Sequence, residues 1–177
     1  VIRWSNHARF LTAGRDGTEN APFFAALGAQ TAFLSRRWQA APPGLARFEA
    51  VTGLLYAGLS LIGMAHHIPA ATGALASACT RDIDADGAIP GRNPEELLEI
   101  FTLLSWAVQA LSDAGKEAPP ALNAAIARTA PVLRSLRHTD GGLARFHGGG
   151  RGMEGRLDHA LAITGNTATA RQRRAMG

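Results

Sequence analysis

Residues 84–96, Asp-Ala-Asp-Gly-Ala-Ile-Pro-Gly-Arg-Asn-Pro-Glu-Glu, interrupt a chain whose pattern is otherwise helical. Two Gly and two Pro residues exclude regular helix as far as Arg92. Asn93 then has the chemistry of a helix N-cap, because Pro and two acids follow it. Glu96 is placed to complete a capping box with Asn93. The stretch predicts a polar loop between two helices, and we expect that loop to form the floor of a cleft.

Helical periodicity and helix breakers divide the rest of the chain into about seven helices. After an N-terminal pattern in residues 1–13, the predicted helices cover residues 23–38, 44–64, 70–81, 93–114, 119–137 and 154–163. Pro22 is expected to open the first of these, and Pro131 to kink the helix in which it lies. Paired helices of this length predict an all-α fold built from antiparallel helical hairpins in a curved array.

Two irregular stretches, residues 84–92 and 138–152, each follow a helix and each contain Asp followed by Gly. In an array of helical hairpins, connections that are two helices apart lie at the same end. We therefore expect both stretches on one rim of the fold. The run Gly148–Gly152 lacks the Lys-Ser or Lys-Thr of a phosphate-binding loop, so it is interpreted as a flexible loop.

The composition narrows the classes of protein that the chain can represent. Its 177 residues suit one domain, and 46% hydrophobic with only 6% aromatic residues favours closely packed helices. The net charge of +4 comes with no basic stripe and no interleaved aromatics, which argues against nucleic acid as a partner. The single cysteine, Cys79, excludes an internal disulfide framework.

Residues 1–163 are predicted to form the helical domain, and residues 164–177 a disordered tail or linker. No apolar run reaches the ~20 residues of a membrane span. No signal-peptide pattern is visible, so the sequence leaves the periplasm and the cytoplasm both open. The chain begins with Val, and we expect it to be part of a longer protein.

Several polar groups have residue types that could support chemistry on their own. The acids between Asp84 and Glu99 have the residue types of a glycoside hydrolase, but acids in turns and first helical turns more often stabilise the backbone. The alternation of Asp at 82, 84 and 86 lacks the terminal Glu of a calcium loop. His66 and His67 are adjacent and therefore do not form the i, i+4 pair of zinc hydrolases, so a role at a helix junction is favoured.

Three motifs occur in a fixed order. They are Trp-Ser-Asn-His at residues 4–7, Asp-Gly-x-Ile-Pro-x-Arg-Asn-Pro-Glu-x-Leu at 86–97, and Leu-Arg-His-x-Asp-Gly-Gly-Leu-Ala-Arg-Phe-His-Gly-Gly-Gly at 136–150. Together they resemble the heparinase II/III-like family of bacterial proteins, most closely its alphaproteobacterial branch. The resemblance covers nearly all of the chain except the tail, and members are longer.

The resemblance implies an incomplete α/α toroid, followed in full-length members by a β-sandwich region of the same chain. Active members are polysaccharide lyases that cleave chains containing uronic acid by β-elimination, and no cofactor is expected. By position, Asn6 and His7 match an Asn-His pair and are the implied catalytic residues. Arg92 and Asn93 match a segment implied to contact the substrate. On the Gly-rich loop, Arg145 and His147 are further candidates for substrate binding.

One departure from the family pattern concerns proton transfer. Many lyase members place a Tyr-His pair shortly after the Arg-Ser-Pro segment, whereas this chain has Glu96 and Leu97 there. The only tyrosine, Tyr56, lies in an apolar helix and is expected in the core. The sequence therefore leaves three hypotheses: a uronan lyase, a non-catalytic carbohydrate-binding or scaffold module on the same toroid, and, ranked last, an inverting hydrolase that uses Asp84 or Asp86 with Glu95.

Overall fold

The computed structural model describes residues 1–2, 11–14, 16–145, 147–150 and 155–163. Six α-helices lie within these residues, and a single isolated β-bridge joins Arg137 to Leu143. The helices are α1 Gly17–Arg37, α2 Leu45–Ser60, α3 Ile68–Asp82, α4 Pro94–Asp113, α5 Pro120–Ser135 and α6 Arg156–Ile163. The all-α prediction is confirmed for this part of the chain, and none of the described helices is long and apolar enough to cross a membrane.

The helices pack in two rows. The first row contains α2, α4 and α6, in which α4 contacts both of the others. The second row contains α3 and α5, which contact one another, and each also packs on the helix that precedes it in the chain. Helix α1 packs on α2. Consecutive helices therefore pack as the pairs α2 with α3 and α4 with α5, while α2 with α4 and α3 with α5 make the contacts between these pairs.

Helix α4 lies at the centre of this arrangement. Eleven of its 20 residues are buried, including Phe101 and Leu104. Its two buried hydroxyl groups are satisfied within the helix, since Thr102 and Ser105 each donate to the carbonyl four residues earlier at 2.7 Å. Tyr56 of α2 is buried as expected, and its hydroxyl donates to the Trp106 carbonyl of α4 at 3.2 Å. The core is thus organised around one helix that contacts both rows.

Three predicted helix boundaries were wrong. Helix α1 begins at Gly17 rather than at Phe23, because the Asp16 side chain accepts from the Glu19 N–H at 2.8 Å and caps it there. Pro22 consequently lies inside the helix. Helix α2 ends at Ser60 rather than at Met64, and Gly63 beyond it takes a φ of +83°, which a helix does not contain. Helix α5 continues through Pro131, and it ends at Ser135 rather than at Arg137.

The loop between α3 and α4 is held by its own acids and by contact with α5. Asp84 accepts from the backbone N–H groups of Asp86 and Ala88, both at 2.9 Å, so the interpretation of this acid as a turn residue is confirmed. Gly87 has a φ of +85°, and a Cβ added to it would lie 2.3 Å from the Arg128 carbonyl oxygen. Only glycine fits this contact between the loop and α5.

We predict that Gly87→Ala lowers the free energy of unfolding far more than Gly115→Ala. Both glycines have positive φ, but nothing lies within 4 Å of a Cβ at Gly115. Gly115→Ala should therefore cost only the left-handed backbone term of about 1–2 kcal/mol, whereas Gly87→Ala adds displacement of the α5 backbone. Chemical denaturation of the two variants measures the difference, and equal losses would contradict the close contact.

Asp82 is a buried carboxylate at the end of α3, with a residue exposure of 7%. Arg81 donates to its two oxygens at 2.6 and 2.8 Å. These bonds hold the pKa of Asp82 below its usual range; burial opposes them, while the Arg81 charge and the Gly44 N–H assist. Since Gly44 immediately precedes α2, this carboxylate links the end of α3 to the start of α2.

We predict that Asp82→Asn destabilises the fold by about 1–3 kcal/mol at pH 7, since an anionic acceptor of several hydrogen bonds is lost. A carboxyl whose pKa is lowered by folding contributes stability above its unfolded pKa of about 4, and this contribution disappears as the pH falls through the folded pKa. Denaturation at pH 7 and pH 3 should therefore show a difference that shrinks on acidification. Exposed Glu117→Gln is the control, with an expected change within about 0.5 kcal/mol; a constant difference for Asp82→Asn would contradict the charged interaction.

Candidate functional site

Three connections meet at one end of the helical array. They are the segment before α2, the loop 83–93 before α4, and the described residues of the connection before α6, which are 136–145, 147–150 and 155. Side-chain contacts link them, because Glu96 reaches the start of α2 and Glu95 reaches Gly150. The expectation that the two irregular stretches share a rim is therefore confirmed for those of their residues that the structure describes. We call this end of the array the loop rim.

Asn93 is the N-cap of α4, as predicted. Its side-chain oxygen accepts from the backbone N–H groups of Glu95 at 3.0 Å and Glu96 at 3.4 Å. Pro94 occupies the first helical position, where a missing N–H costs nothing. Within the described residues, the amide nitrogen of Asn93 makes no hydrogen bond, and this partly exposed group remains available as a donor at the loop rim.

The Gly-rich loop, residues 147–150, lies against this helix start. Gly149 has a φ of +86°, and a Cβ there would lie 2.9 Å from the Asn93 side-chain oxygen and 3.2 Å from a Glu95 oxygen. The Gly150 N–H donates to the same Glu95 oxygen. The run of glycines, interpreted from sequence as a flexible loop, thus packs on α4 at Gly149, where a side chain would need both a strained backbone and a shift of Asn93.

Arg92 and His147 are the two non-glycine residues with positive φ in the described part of the chain, at +47° and +51°. Such backbone costs on the order of 1–3 kcal/mol and is concentrated at functional sites. Both residues are exposed, as is Arg145. The side chains of all three make no hydrogen bond or ion pair with other described residues. The rim therefore presents cationic and donor groups that the described part of the fold does not use.

Four of the six site residues predicted from sequence are described by the structure. Contacts of Gly148 and Gly149 with Asn93 bring the neighbouring Arg92 and His147 to the same part of the rim. Arg145 lies two residues before His147 on the same segment. Asn6 and His7 lie outside the described residues, so their predicted catalytic roles stay predictions.

Glu96 does not complete the predicted capping box. Its carboxylate instead accepts from the Leu45 N–H, the first of α2, at 3.3 Å. Helix α2 has Gly44 as its N-cap and no side-chain cap of its own, so the acid from α4 supplies the missing acceptor. Leu97 is fully buried. The two positions at which the family resemblance implies a Tyr-His pair are therefore occupied by a carboxylate that binds backbone and by a core residue.

A cleft with a volume of about 860 Å³ opens between α1, α2, α4 and α6. Helix α4 contributes Glu99, Leu103 and Trp106, and these residues continue the same helical stripe as Glu95. The cleft therefore begins one helical turn from the loop rim. Arg156 of α6 donates two hydrogen bonds to Glu99 at the cleft wall. Sequence reasoning missed this ion pair, because 57 positions separate its partners.

No cluster of three or more metal-ligating side chains occurs in the described ranges. His66 and His67 form a short 3-10 turn before α3, which confirms their position at a helix junction. Their rings lie 3.9 Å apart, and partial burial together with the neighbouring His66 lowers the pKa of His67. Comparison of the chain with protein-family models, with curated proteins and with solved structures found no match.

We predict that Asn93→Ala lowers the free energy of unfolding by about 1 kcal/mol, the usual value of a side-chain N-cap. Asn93→Asp should retain stability, because aspartate keeps the acceptor and places negative charge at the start of a helix. Asn123→Ala, an exposed site within α5, is the control and should be neutral or slightly stabilising. Thermal or chemical denaturation compares the three; equal destabilisation by Ala and Asp at position 93 would contradict the capping geometry.

Proposed function

We propose that the chain is the helical toroid portion of a polysaccharide lyase that cleaves an acidic, uronic-acid-containing polysaccharide by β-elimination. The observation that carries the proposal is the meeting of two distant motifs at the loop rim, where Gly149 packs on Asn93 and Glu95. This contact brings Arg92, Asn93 and His147 together. Their side-chain donor groups make no hydrogen bond within the described part of the fold. Unused donors and cations suit an anionic ligand.

The proposed toroid extends the observed architecture. Two rows of alternating helices are the units from which an α/α toroid is built, and curvature of the row α2, α4, α6 would make the cleft part of a longer concave surface. A β-sandwich region of the same full-length chain, implied by the family resemblance, would then cover the open side and complete the site.

The reaction assigns distinct tasks to these groups. A base removes the proton from C5 of the uronate, the electrons form the C4–C5 double bond, and the C4–O4 bond breaks as O4 receives a proton. Removal of the C5 proton becomes feasible only when the carboxylate is neutralised by donors that stabilise the developing charge. The guanidinium of Arg92 and the amide nitrogen of Asn93 have the chemistry for that task. His7 is the proposed base, with Asn6 as a further donor.

The cleft provides space for the neighbouring sugar units. It combines the Trp106 ring with the carboxylates of Glu49 and Glu99 and the amide of Gln30. Sugars offer apolar ring faces to aromatic side chains and hydroxyl groups to carboxylates and amides. A chain bound at the loop rim would continue along the α4 stripe into this cleft.

A second candidate function is a non-catalytic carbohydrate-binding or scaffold module. The specific observation in its favour is the use of Glu96 and Leu97 for capping and core packing, which leaves no proton-transfer group at those positions. Tyr56 cannot replace the tyrosine that the resemblance implies, since it is buried and its hydroxyl donates a hydrogen bond to the Trp106 carbonyl. The hydrolase hypothesis is weaker, because Asp84 and Glu95 both accept backbone hydrogen bonds.

The test is incubation of the full-length protein with heparan, alginate and related uronans while the ultraviolet absorbance of the unsaturated product is followed. We expect absorbance to rise with one of them. The double variant Asn6→Ala, His7→Ala should abolish the rise and keep the helical circular dichroism signal, whereas Lys116→Ala, at the opposite end of the array, should leave it unchanged. Binding without product would select the second candidate function, and reducing ends without unsaturation would select hydrolysis.

A further inference from the structure

Glu95 connects the two motifs of the loop rim through a single carboxylate. It lies in the first turn of α4, and it accepts the Gly150 N–H. Within the described residues, this is the one hydrogen bond that residues 147–150 make. The same carboxylate lies 3.2 Å from the position of a Cβ on Gly149. The attachment of the Gly-rich loop to α4 therefore depends on Glu95.

Helix capping alone does not explain this arrangement. Asn93 already accepts the N–H groups of Glu95 and Glu96, so the start of α4 is capped without the Glu95 carboxylate. The helix dipole would stabilise a carboxylate at this position even if its side chain pointed into solvent. The observed orientation instead satisfies a backbone group of another segment, 55 positions away.

We propose that Glu95 is a positioning residue, which fixes the Gly-rich loop so that His147 and Arg145 stand beside Arg92 and Asn93 to bind the uronate carboxylate. The inference rests on the proposed function and deepens it. Glu95 itself does not need to touch the substrate. Its negative charge, unfavourable beside a bound anion, is offset by the N-terminus of α4 and by the Gly150 N–H.

Glu99 supports the same segment one turn further along α4. It accepts two hydrogen bonds from Arg156, which begins α6. Two carboxylates on one stripe of α4 thus bind two successive parts of the chain. Glu95 binds the Gly-rich loop, and Glu99 binds the start of α6. Because Glu99 anchors α6 independently, a change at Glu95 should loosen the loop and leave α6 in place.

The test compares Glu95→Ala, Glu95→Gln and the control Glu117→Ala, an exposed acid in the loop between α4 and α5. The first readout is amide hydrogen exchange at Gly150 without substrate. The second is KM and kcat on the uronan that is cleaved, or Kd if the protein only binds. Loss of a hydrogen bond to a charged acceptor corresponds to about tenfold or more, so Glu95→Ala should raise exchange and KM by about tenfold with little change in kcat. Glu95→Gln keeps an acceptor oxygen and should restore most of both.

Unchanged Gly150 exchange in Glu95→Ala, relative to Glu117→Ala, would overturn the attachment of the loop. Faster exchange with unchanged KM or Kd would overturn the positioning role. Failure of Glu95→Gln to restore KM would show that the charge, not the hydrogen bond, matters, and would also overturn it. If the unmodified protein neither binds nor cleaves any uronan, the proposed function and the substrate role fail together, while hydrogen exchange still decides whether Glu95 holds the loop.

Discussion

Burial of α4 between its neighbours is the constraint on which the rest of the structure depends. The helix contacts α2, α5 and α6, and its Phe101 and Leu104 are completely buried. Because the apolar stripe of α4 is fixed in the core, its first turn is fixed at the loop rim. The polar contacts of the candidate site are made by residues of this first turn and the residue before it. Their positions therefore depend on the hydrophobic packing of the middle of α4.

The acids near the start of α4 mainly serve the backbone. Each of three acids accepts a hydrogen bond from a backbone N–H group: Asp84 within its own turn, Glu96 at the start of α2, and Glu95 in the Gly-rich loop. Asp82, at the end of α3, is bound mainly by the Arg81 side chain, which together with the Gly44 N–H lowers the pKa of its carboxyl group. Carboxylates committed in this way are poor candidates for acid–base chemistry. Among the described residues of the rim, Arg92, Arg145 and His147 and the amide nitrogen of Asn93 make no side-chain hydrogen bond, and the proposed function rests on these groups.

Local chemistry explains which predictions from sequence were confirmed. The N-cap at Asn93 and the turn at Asp84 depend only on residues within a few positions, so residue type and spacing were sufficient. The capping box failed because a nearby helix start, at Leu45, competed for Glu96. The start of α1 was misplaced because Asp16 caps the helix before Pro22. Errors arose where a distant partner or an unnoticed cap decided the outcome.

The sequence by itself determined the helical class, the position of the break at residues 84–92 and the residue types available at the loop rim, since periodicity, Gly and Pro act locally. Only the tertiary structure decided that Gly149 packs on Asn93, that Glu95 accepts the Gly150 N–H and that Glu99 pairs with Arg156. These contacts join residues more than 50 positions apart. They exist because the packing of α4 and α6 in one row brings the two segments together, which no local pattern specifies.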